Sequence, residues 1–223
     1  MTTLLKIQSS LSGDAGESSR LATRYAEAWA AHHPHGRVLT RDLSRDPVPH
    51  LSAERFAAFF AAPEERTPAQ RAIVDESETL IDELRAADVL VVAAPMHNFS
   101  VPSTLRAYFD HVARAGVTFR YTATGPQGLL QGKRAVVIAT RGGFYPGAAD
   151  LQVPYVKQFL GFIGITDVEV VVAEGLAIDA RAREAALQGA RDSLETLARE
   201  GRRAAGQGAA ARPVGAPRDS VAA

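Results

Sequence analysis

The 223-residue chain carries 25 basic and 25 acidic side chains, so its formal net charge is zero and its isoelectric point is about 7.0. This balance argues against nucleic acids and anionic membranes as partners, since both attract strongly basic surfaces. Cysteine is absent, which excludes disulfides, thiolate nucleophiles and thiolate metal sites.

Strand-like apolar runs alternate with helical periodicities along the chain, which indicates an α/β fold. Thr67 and Gln70 form a capping-box pattern at the start of one helix, and Gly116 is expected to end another in the left-handed conformation. Strands are predicted at 4–8, 37–42, 89–94, 134–139 and 167–172, with helices near 21–33, 68–84, 105–112, 153–163 and 179–200 and a short hairpin near 117–121. Five strands joined by helices imply parallel, right-handed crossovers and a three-layer sandwich.

Two segments fall outside this alternation. Residues 1–200 are predicted to form one domain, whereas 201–223 are mostly Ala, Gly, Arg and Pro without periodicity, which predicts a disordered C-terminal tail. The long connection 43–66 contains Phe56, Phe59 and Phe60 at helical spacing. Two interpretations of it stay open: a small helix packed on its own subunit, or a wall of an active site or dimer interface.

The amino-terminal residues and the lengths of the apolar runs indicate where in the cell the protein is expected. The first residues enter a strand directly, without the basic stretch and apolar segment of a secretion leader. No uninterrupted apolar run approaches the roughly 18 residues that span a bilayer. The expectation is a cytoplasmic protein whose partners are small molecules.

The junction after the third strand is the most informative stretch for function. The apolar run 89–94 suits a strand buried on both faces, and Pro95 ends it because proline has no N–H to donate. The following Met96, His97, Asn98 and Phe99 must lie at the carboxyl edge of the sheet, where open α/β sheets bind ligands. An amide flanked by aromatic and thioether side chains can line a flat heterocycle.

The loop after the first strand, 9–19, has no G-x-G-x-x-G pattern, so a nicotinamide held in the dinucleotide manner is not predicted. Its backbone N–H groups and hydroxyls such as Ser10 and Ser18 could instead hold a phosphomonoester at a helix start. A plain N-capping loop remains the alternative, and Asp14 and Glu17 would repel a phosphate unless they point to solvent.

A third loop, after the fourth predicted strand, carries Thr140, Arg141, Gly142 and Gly143. Paired glycines let a backbone approach a ligand closely and present N–H groups. Together with the other two loops, this segment predicts one continuous groove. No metal site is predicted, because a proline interrupts the histidines clustered at 32–35.

Five segments of the chain are specific enough to compare with known families: Pro95–Phe99, Tyr108–Asp110, Val112–Tyr121, Arg141–Gly143 and Phe159–Ile165. They resemble the FMN-dependent NADH:quinone oxidoreductases, also called azoreductases, and the resemblance covers roughly residues 3–200. The resemblance implies a flavodoxin-like three-layer sandwich whose five-stranded parallel sheet has the order 2-1-3-4-5. It also implies one FMN per subunit and NADH as the electron donor.

The resemblance also implies which residues bind the cofactor. The FMN phosphate maps to Ser10, Gly16, Glu17 and Ser18, and the isoalloxazine ring to Met96, His97, Asn98, Phe99, Thr140, Arg141, Gly142 and Gly143. Gly16 and Glu17 stand where relatives often carry hydroxyl or amide residues, so their contacts are expected through the backbone. His97 replaces a common Tyr, and Thr140 replaces a Ser.

The implied reaction is a ping-pong cycle in which NADH delivers a hydride and leaves before a quinone or an aromatic azo compound takes the electrons in the same space. Azo compounds are cleaved to amines. No catalytic acid or base is implied, since the flavin carries the chemistry. Tyr121, Phe162 and Phe60 are the predicted substrate contacts, in a pocket completed by the second subunit of a homodimer.

Other functions are compatible with the same sequence. A flavodoxin-like chain can be a regulatory or sensor subunit without turnover, and an NADPH-dependent FMN reductase is the closest enzymatic rival. A small electron carrier fits less well, because such carriers are typically acidic and this chain is neutral.

Overall fold

A computed structural model describes residues 2–200 of the protein. Its strands are β1 (Thr3–Gln8), β2 (Arg37–Asp42), β3 (Val89–Pro95), β4 (Phe119–Thr122), β5 (Gly125–Gly128), β6 (Arg134–Thr140) and β7 (Asp167–Ala173). Its helices are α1 (Glu17–His32), α2 (Ala53–Phe60), α3 (Pro68–Ala86), α4 (Ser103–Val112), α5 (Gln152–Phe162) and α6 (Ala180–Glu200). None of these helices is both long and apolar enough to cross a bilayer. The predicted tail at 201–223 lies outside the described residues.

Five strands form one parallel sheet in the order β2-β1-β3-β6-β7, and β4 pairs with β5 in a separate antiparallel hairpin. Counted without the hairpin, this is the order 2-1-3-4-5, so the predicted fold is confirmed. The central strands β3 and β6 are buried along almost their whole length. Their Val, Ala and Ile side chains face helices on both sides of the sheet, which is why these segments are uniformly apolar.

Helices cover both faces of the sheet and bury two apolar clusters. On one face, α3, α4 and α5 contribute side chains such as Leu80, Leu105 and Val156. On the other face, α1 and α6 contribute side chains such as Trp29 and Leu194. These helices fix the sheet, so the loops that leave its carboxyl edge are anchored on a rigid support.

Three of those loops emerge side by side. The strand register pairs Gln8 of β1 with Ala93 of β3, and Pro95 of β3 with Thr140 of β6. The segments that follow these strands, 9–16, 96–102 and 141–151, therefore start at one edge of the sheet. This is the position that the sequence predicts for the groove.

Candidate functional site

The loop after β1 builds a small polar cradle at the start of α1. Gly16 precedes the first helical turn, and no side chain within residues 2–200 caps that turn. A Cβ atom at Gly16 would lie 2.0 Å from Ser10 Oγ, so only glycine allows this approach. Ser18 Oγ is buried and has no hydrogen-bond partner in the described part of the chain. Uncapped N–H groups beside a spare hydroxyl fit a phosphomonoester.

Both carboxylates of this loop are paired with arginines. Asp14 forms an exposed ion pair with Arg45. Glu17 accepts hydrogen bonds from Arg183 at 2.6 Å and from Arg20 at 3.2 Å. An unpaired carboxylate here would oppose a phosphate, but these guanidinium groups offset that repulsion. The acidic residues of the loop are therefore compatible with an anionic ligand.

The segment after β3 forms a tight turn with an unusual backbone. His97 and Ser100 exchange backbone hydrogen bonds of 2.9 and 3.0 Å across Asn98 and Phe99. The φ angles of Asn98 and Phe99 are 49° and 67°, in the left-handed region that Asn tolerates and bulky residues avoid. Such backbone conformations are concentrated at ligand-binding sites, where the surrounding structure maintains them. The side chains of 97–99 are exposed at the sheet edge.

Replacing Phe99 with glycine is expected to stabilise the apoprotein while weakening FMN binding. Glycine adopts a positive φ without steric cost, so the free energy of unfolding should rise by roughly 0.5–1 kcal/mol. The Phe99 ring is 57% exposed and contributes little to the core, but it offers a flat apolar surface to a ligand. Urea unfolding and FMN titration of the apoprotein measure the two effects.

The matched control for this substitution is Phe144→Gly. Phe144 is 58% exposed, and its φ angle is not among the positive ones. Its replacement removes a similar ring without relieving any left-handed backbone, so stability should fall slightly. A Phe99→Gly protein that is less stable than the wild type would show that the turn stores no strain.

A buried ion pair supports the loop after β6. The Arg141 side chain is 1% exposed and donates from Nη2 to Asp150 Oδ2 at 2.9 Å. Asp150 Oδ1 also accepts the backbone N–H groups of Gln152 and Val153 at the start of α5. Burial by itself raises the pKa of Asp150, but the hydrogen bonds from Arg141 and from these N–H groups outweigh it and lower the pKa below its usual value. The Arg141 side chain therefore supports the loop, and its predicted contact with the flavin ring stays a prediction.

The glycine pair of this loop has a fixed backbone. The carbonyl oxygens of Gly142 and Gly143 accept N–H groups from the segment 175–177 at 3.0 Å, whereas their own N–H groups have no acceptor within residues 2–200. Thr140, just before them, is buried, and its carbonyl oxygen accepts the Met96 N–H at 2.8 Å. This backbone hydrogen bond directly joins the two predicted ring-binding segments, at the ends of β3 and β6.

Two supporting residues were not predicted from the sequence. Gln152 is fully buried, donates from Nε2 to the carbonyl oxygen of Ala94 at 2.9 Å, and so ties α5 to the end of β3. Asp150 binds Arg141 and the start of α5. An Asp just before a predicted helix is a typical N-capping signal and could have identified Asp150. Gln152 gives no such signal, because its partner is a backbone group far away in sequence.

The predicted substrate contacts lie around an aromatic cavity of about 210 Å³. Phe60 and Tyr121 both line it, and their side chains are 67% and 75% exposed. Phe162 packs against Phe119, a further lining residue, with a ring-centroid distance of 4.3 Å. The cavity is lined by Leu51, Phe56, Phe59, Phe60, Asp110, Ala113, Arg114, Ala115, Phe119 and Tyr121.

Within one chain, these aromatic residues do not join the predicted flavin loops. Gln152 at the start of α5 contacts the carboxyl end of β3, whereas Phe162 is the last residue of the same helix. A helix of 11 residues is about 16 Å long. The structure therefore separates Phe162, and with it the aromatic cavity, from the loop at Asn98.

The chain belongs to the flavodoxin-like fold family, whose model, described as "Flavodoxin-like fold", matches residues 2–198. Among curated proteins, it is 52% identical over 192 residues to an FMN-dependent NADH:quinone oxidoreductase of Alcanivorax borkumensis, covering 86% of this chain and 97% of that protein. A second such oxidoreductase, from Cellvibrio japonicus, is 50% identical over 177 residues, 79% of this chain and 89% of that protein.

A solved structure extends the comparison to a cofactor complex. An FMN-dependent NADH-azoreductase of Bacillus anthracis in complex with FMN has a TM-score of 0.79 and 26% sequence identity, covering 89% of this chain and all of that one. These comparisons confirm the predicted family, the predicted enzyme class and the predicted FMN cofactor. The individual cofactor and substrate contacts stay predictions.

Proposed function

We propose that this protein is an FMN-dependent oxidoreductase that transfers electrons from NADH to quinones and reductively cleaves aromatic azo compounds to amines. The observation that carries the proposal is the cradle at the start of α1, where Gly16 makes room beside Ser10 and the Ser18 hydroxyl is buried without a partner. It lies on the edge of the sheet that also carries the turn at Asn98 and the loop at Gly142.

The residues present fit FMN. Ser10, Ser18 and the backbone at Gly16 and Glu17 would hold the phosphate, because a helix start stabilises negative charge. The isoalloxazine would lie on Met96, His97, Asn98, Phe99, Thr140, Arg141, Gly142 and Gly143. When bound, FMN accepts a hydride and passes electrons on. The chain's own part is to orient the ring and to aim backbone N–H groups at its polar edge, where negative charge develops.

We infer a ping-pong order because the three proposed flavin loops all start at one edge of the sheet. The nicotinamide and the second substrate need the same flat surface above the ring, so one must leave before the other enters. Two titratable side chains lie at this turn: the exposed His97, and Tyr145, whose ring lies edge-on to Phe99 with 6.0 Å between the ring centroids. Neither is required as an acid or base, because the flavin carries the chemistry. Cleavage of one azo bond then takes two successive rounds of NADH oxidation.

We further propose a homodimer with its active site at the subunit interface. Tyr121, Phe60 and Phe162 belong to an aromatic surface that one chain keeps apart from its own flavin loops. Tyr121 and Phe60 are far more exposed than aromatic side chains normally are. A second copy could bring this surface over the flavin loops of the first, where flat substrates would gain from stacking on it.

The function is tested on the purified protein as it is expressed. A yellow preparation that releases FMN on denaturation and oxidises NADH rapidly only when menadione is present supports the proposal. Flavin absorbance without quinone-dependent turnover would favour a sensor, and turnover restricted to NADPH would favour an FMN reductase. An azo dye such as methyl red, followed by loss of colour and recovery of the amines, tests the azo reaction separately.

A further inference from the structure

The groove between α1 and α6 begins beside the phosphate cradle and holds a charge pair that the proposed function leaves unexplained. Glu17, Arg20 and Arg183 all line this groove. Glu17 is the first residue of α1 and Arg183 lies in the first turn of α6. The pair therefore joins two helices that are 166 residues apart in sequence, at the point where α1 would receive the phosphate.

The Arg183 side chain, which is 43% exposed, makes two contacts in this arrangement. Its Nη2 atom donates to Glu17 Oε1 at 2.6 Å, and its Nη1 atom donates to the carbonyl oxygen of Leu176 at 3.3 Å. The Glu17 side chain is only 17% exposed, so its charge is poorly screened by water. Arg20 adds a second guanidinium at 3.2 Å. The cluster of one carboxylate and two guanidinium groups carries a net positive charge.

A carboxylate and a phosphate compete for the same place at a helix start, because uncapped N–H groups and the helix dipole attract both. In this chain the Glu17 carboxylate is turned into the groove against Arg183, while Ser10, Gly16 and Ser18 form the cradle. Without Arg183, only the exposed side chain of Arg20 would hold the carboxylate, which could then approach the N–H groups and repel a dianion there.

We propose that Arg183 is a positioning residue for FMN: it holds the Glu17 carboxylate in the groove between α1 and α6 and cancels its charge, so that the cradle accepts the phosphate and the protein prefers FMN to riboflavin. This inference rests on the proposed placement of the phosphate at the start of α1. It adds a residue from α6 to a site otherwise built from the loops after β1, β3 and β6.

The test compares FMN and riboflavin binding to the apoprotein by quenching of flavin fluorescence. The ratio of the two dissociation constants isolates the phosphate, since the ring is common to both ligands. Arg183→Gln should reduce the preference for FMN by about tenfold, with little change for riboflavin, because the Glu17 carboxylate near the phosphate is then held only by the exposed Arg20. Unchanged riboflavin affinity also shows that the variant is folded.

Glu17→Gln supplies the decisive second variant. This variant removes the side-chain charge but leaves the proposed backbone contact of residue 17 with the phosphate, so the preference for FMN should not fall. The double variant Glu17→Gln with Arg183→Gln should return to within about threefold of the wild type, because the charge that Arg183 holds is gone. If the double variant is as impaired as Arg183→Gln, the arginine acts on the phosphate directly and the proposal is wrong. Arg191→Gln is the matched control, since it removes the same charge from the same helix, where Arg191 pairs with Glu184.

Ser18→Ala separates failure of this inference from failure of the underlying site. If Ser18→Ala lowers the preference for FMN and Arg183→Gln does not, the cradle is correct and Arg183 has no role in it. If neither variant changes the ratio, the phosphate binds elsewhere and both proposals fall. A loss in Arg183→Gln that shrinks at high salt would support the electrostatic origin, and a loss independent of salt would contradict it.

Discussion

Two inactive variants of this protein should restore activity when they are combined in one dimer. Gly16→Ala is expected to lose most of its FMN during purification, because it binds the cofactor more weakly. Tyr121→Asp places a carboxylate on the aromatic surface, and the 75% exposed Tyr121 should tolerate this change without unfolding. If each site joins the flavin loops of one subunit to Tyr121 of the other, the mixed dimer contains one intact site and one doubly damaged site. Its NADH:menadione activity should therefore reach about half that of the wild type.

Coexpression with two different affinity tags yields the mixed dimer for this measurement. The two parent homodimers, purified in the same way, are the controls and should each fall below about a tenth of wild-type activity. Activity of the mixed dimer no higher than that of its parents would mean that Tyr121 serves its own chain's site or none. A protein that elutes as a monomer at assay concentration would contradict the interface altogether.

The fold followed from local patterns to a large extent. The capping box at Thr67 and Gln70 is present, with both reciprocal hydrogen bonds formed, and the apolar runs became the five strands of the sheet. The helix-ending role predicted for Gly116 was wrong: α4 stops at Val112, and Gly116 adopts its left-handed φ of 78° in a later turn. Thr118 Oγ1 donates to the Val112 carbonyl oxygen at 2.6 Å, a contact that periodicity does not encode.

The sequence predicts which loops form the candidate site, because these loops follow strands that end at the same edge of the sheet. It does not predict which side chains pair with one another when they are far apart in the chain. Loops that follow β1, β3 and β6 meet because the topology brings them together, and their glycines and hydroxyls are visible in the sequence. The partner of a buried charge is not visible, since any of 25 basic residues could have paired with Glu17. For the same reason the sequence could not show that Arg141 is buried against Asp150.

The sequence also does not show how far the predicted substrate contacts lie from the flavin loops within one chain. Tyr121 and Phe162 are aromatic, as substrate contacts are expected to be. On residue type alone, both would be predicted to lie beside the flavin of their own chain. Only the course of α5, which carries the chain away from the carboxyl edge before Phe162, shows that one subunit does not bring them there. If Tyr121 and Phe162 contact the substrate, the proposed reaction therefore requires the proposed homodimer.

Gly16→Ala should lower the affinity for FMN on the order of a hundredfold, because losing one or two hydrogen bonds to a charged group costs roughly 1.5–3 kcal/mol each. The added Cβ would lie 2.0 Å from Ser10 Oγ and 2.7 Å from Ser10 Cβ. Rotation of the Ser10 hydroxyl relieves the first clash but not the second, so the loop backbone must move. That movement separates the hydroxyls from the start of α1.

Titration of the apoprotein with FMN and with riboflavin measures this effect. Riboflavin has no phosphate, so its affinity should change by less than about threefold if the damage is confined to the cradle. Gly161→Ala is the control, because a Cβ there meets no atom within 4 Å, and it should bind both flavins normally. Equal losses of affinity for the two ligands in Gly16→Ala would mean that the substitution disturbs the whole edge of the sheet. Unchanged FMN affinity would mean that the phosphate does not bind at this loop.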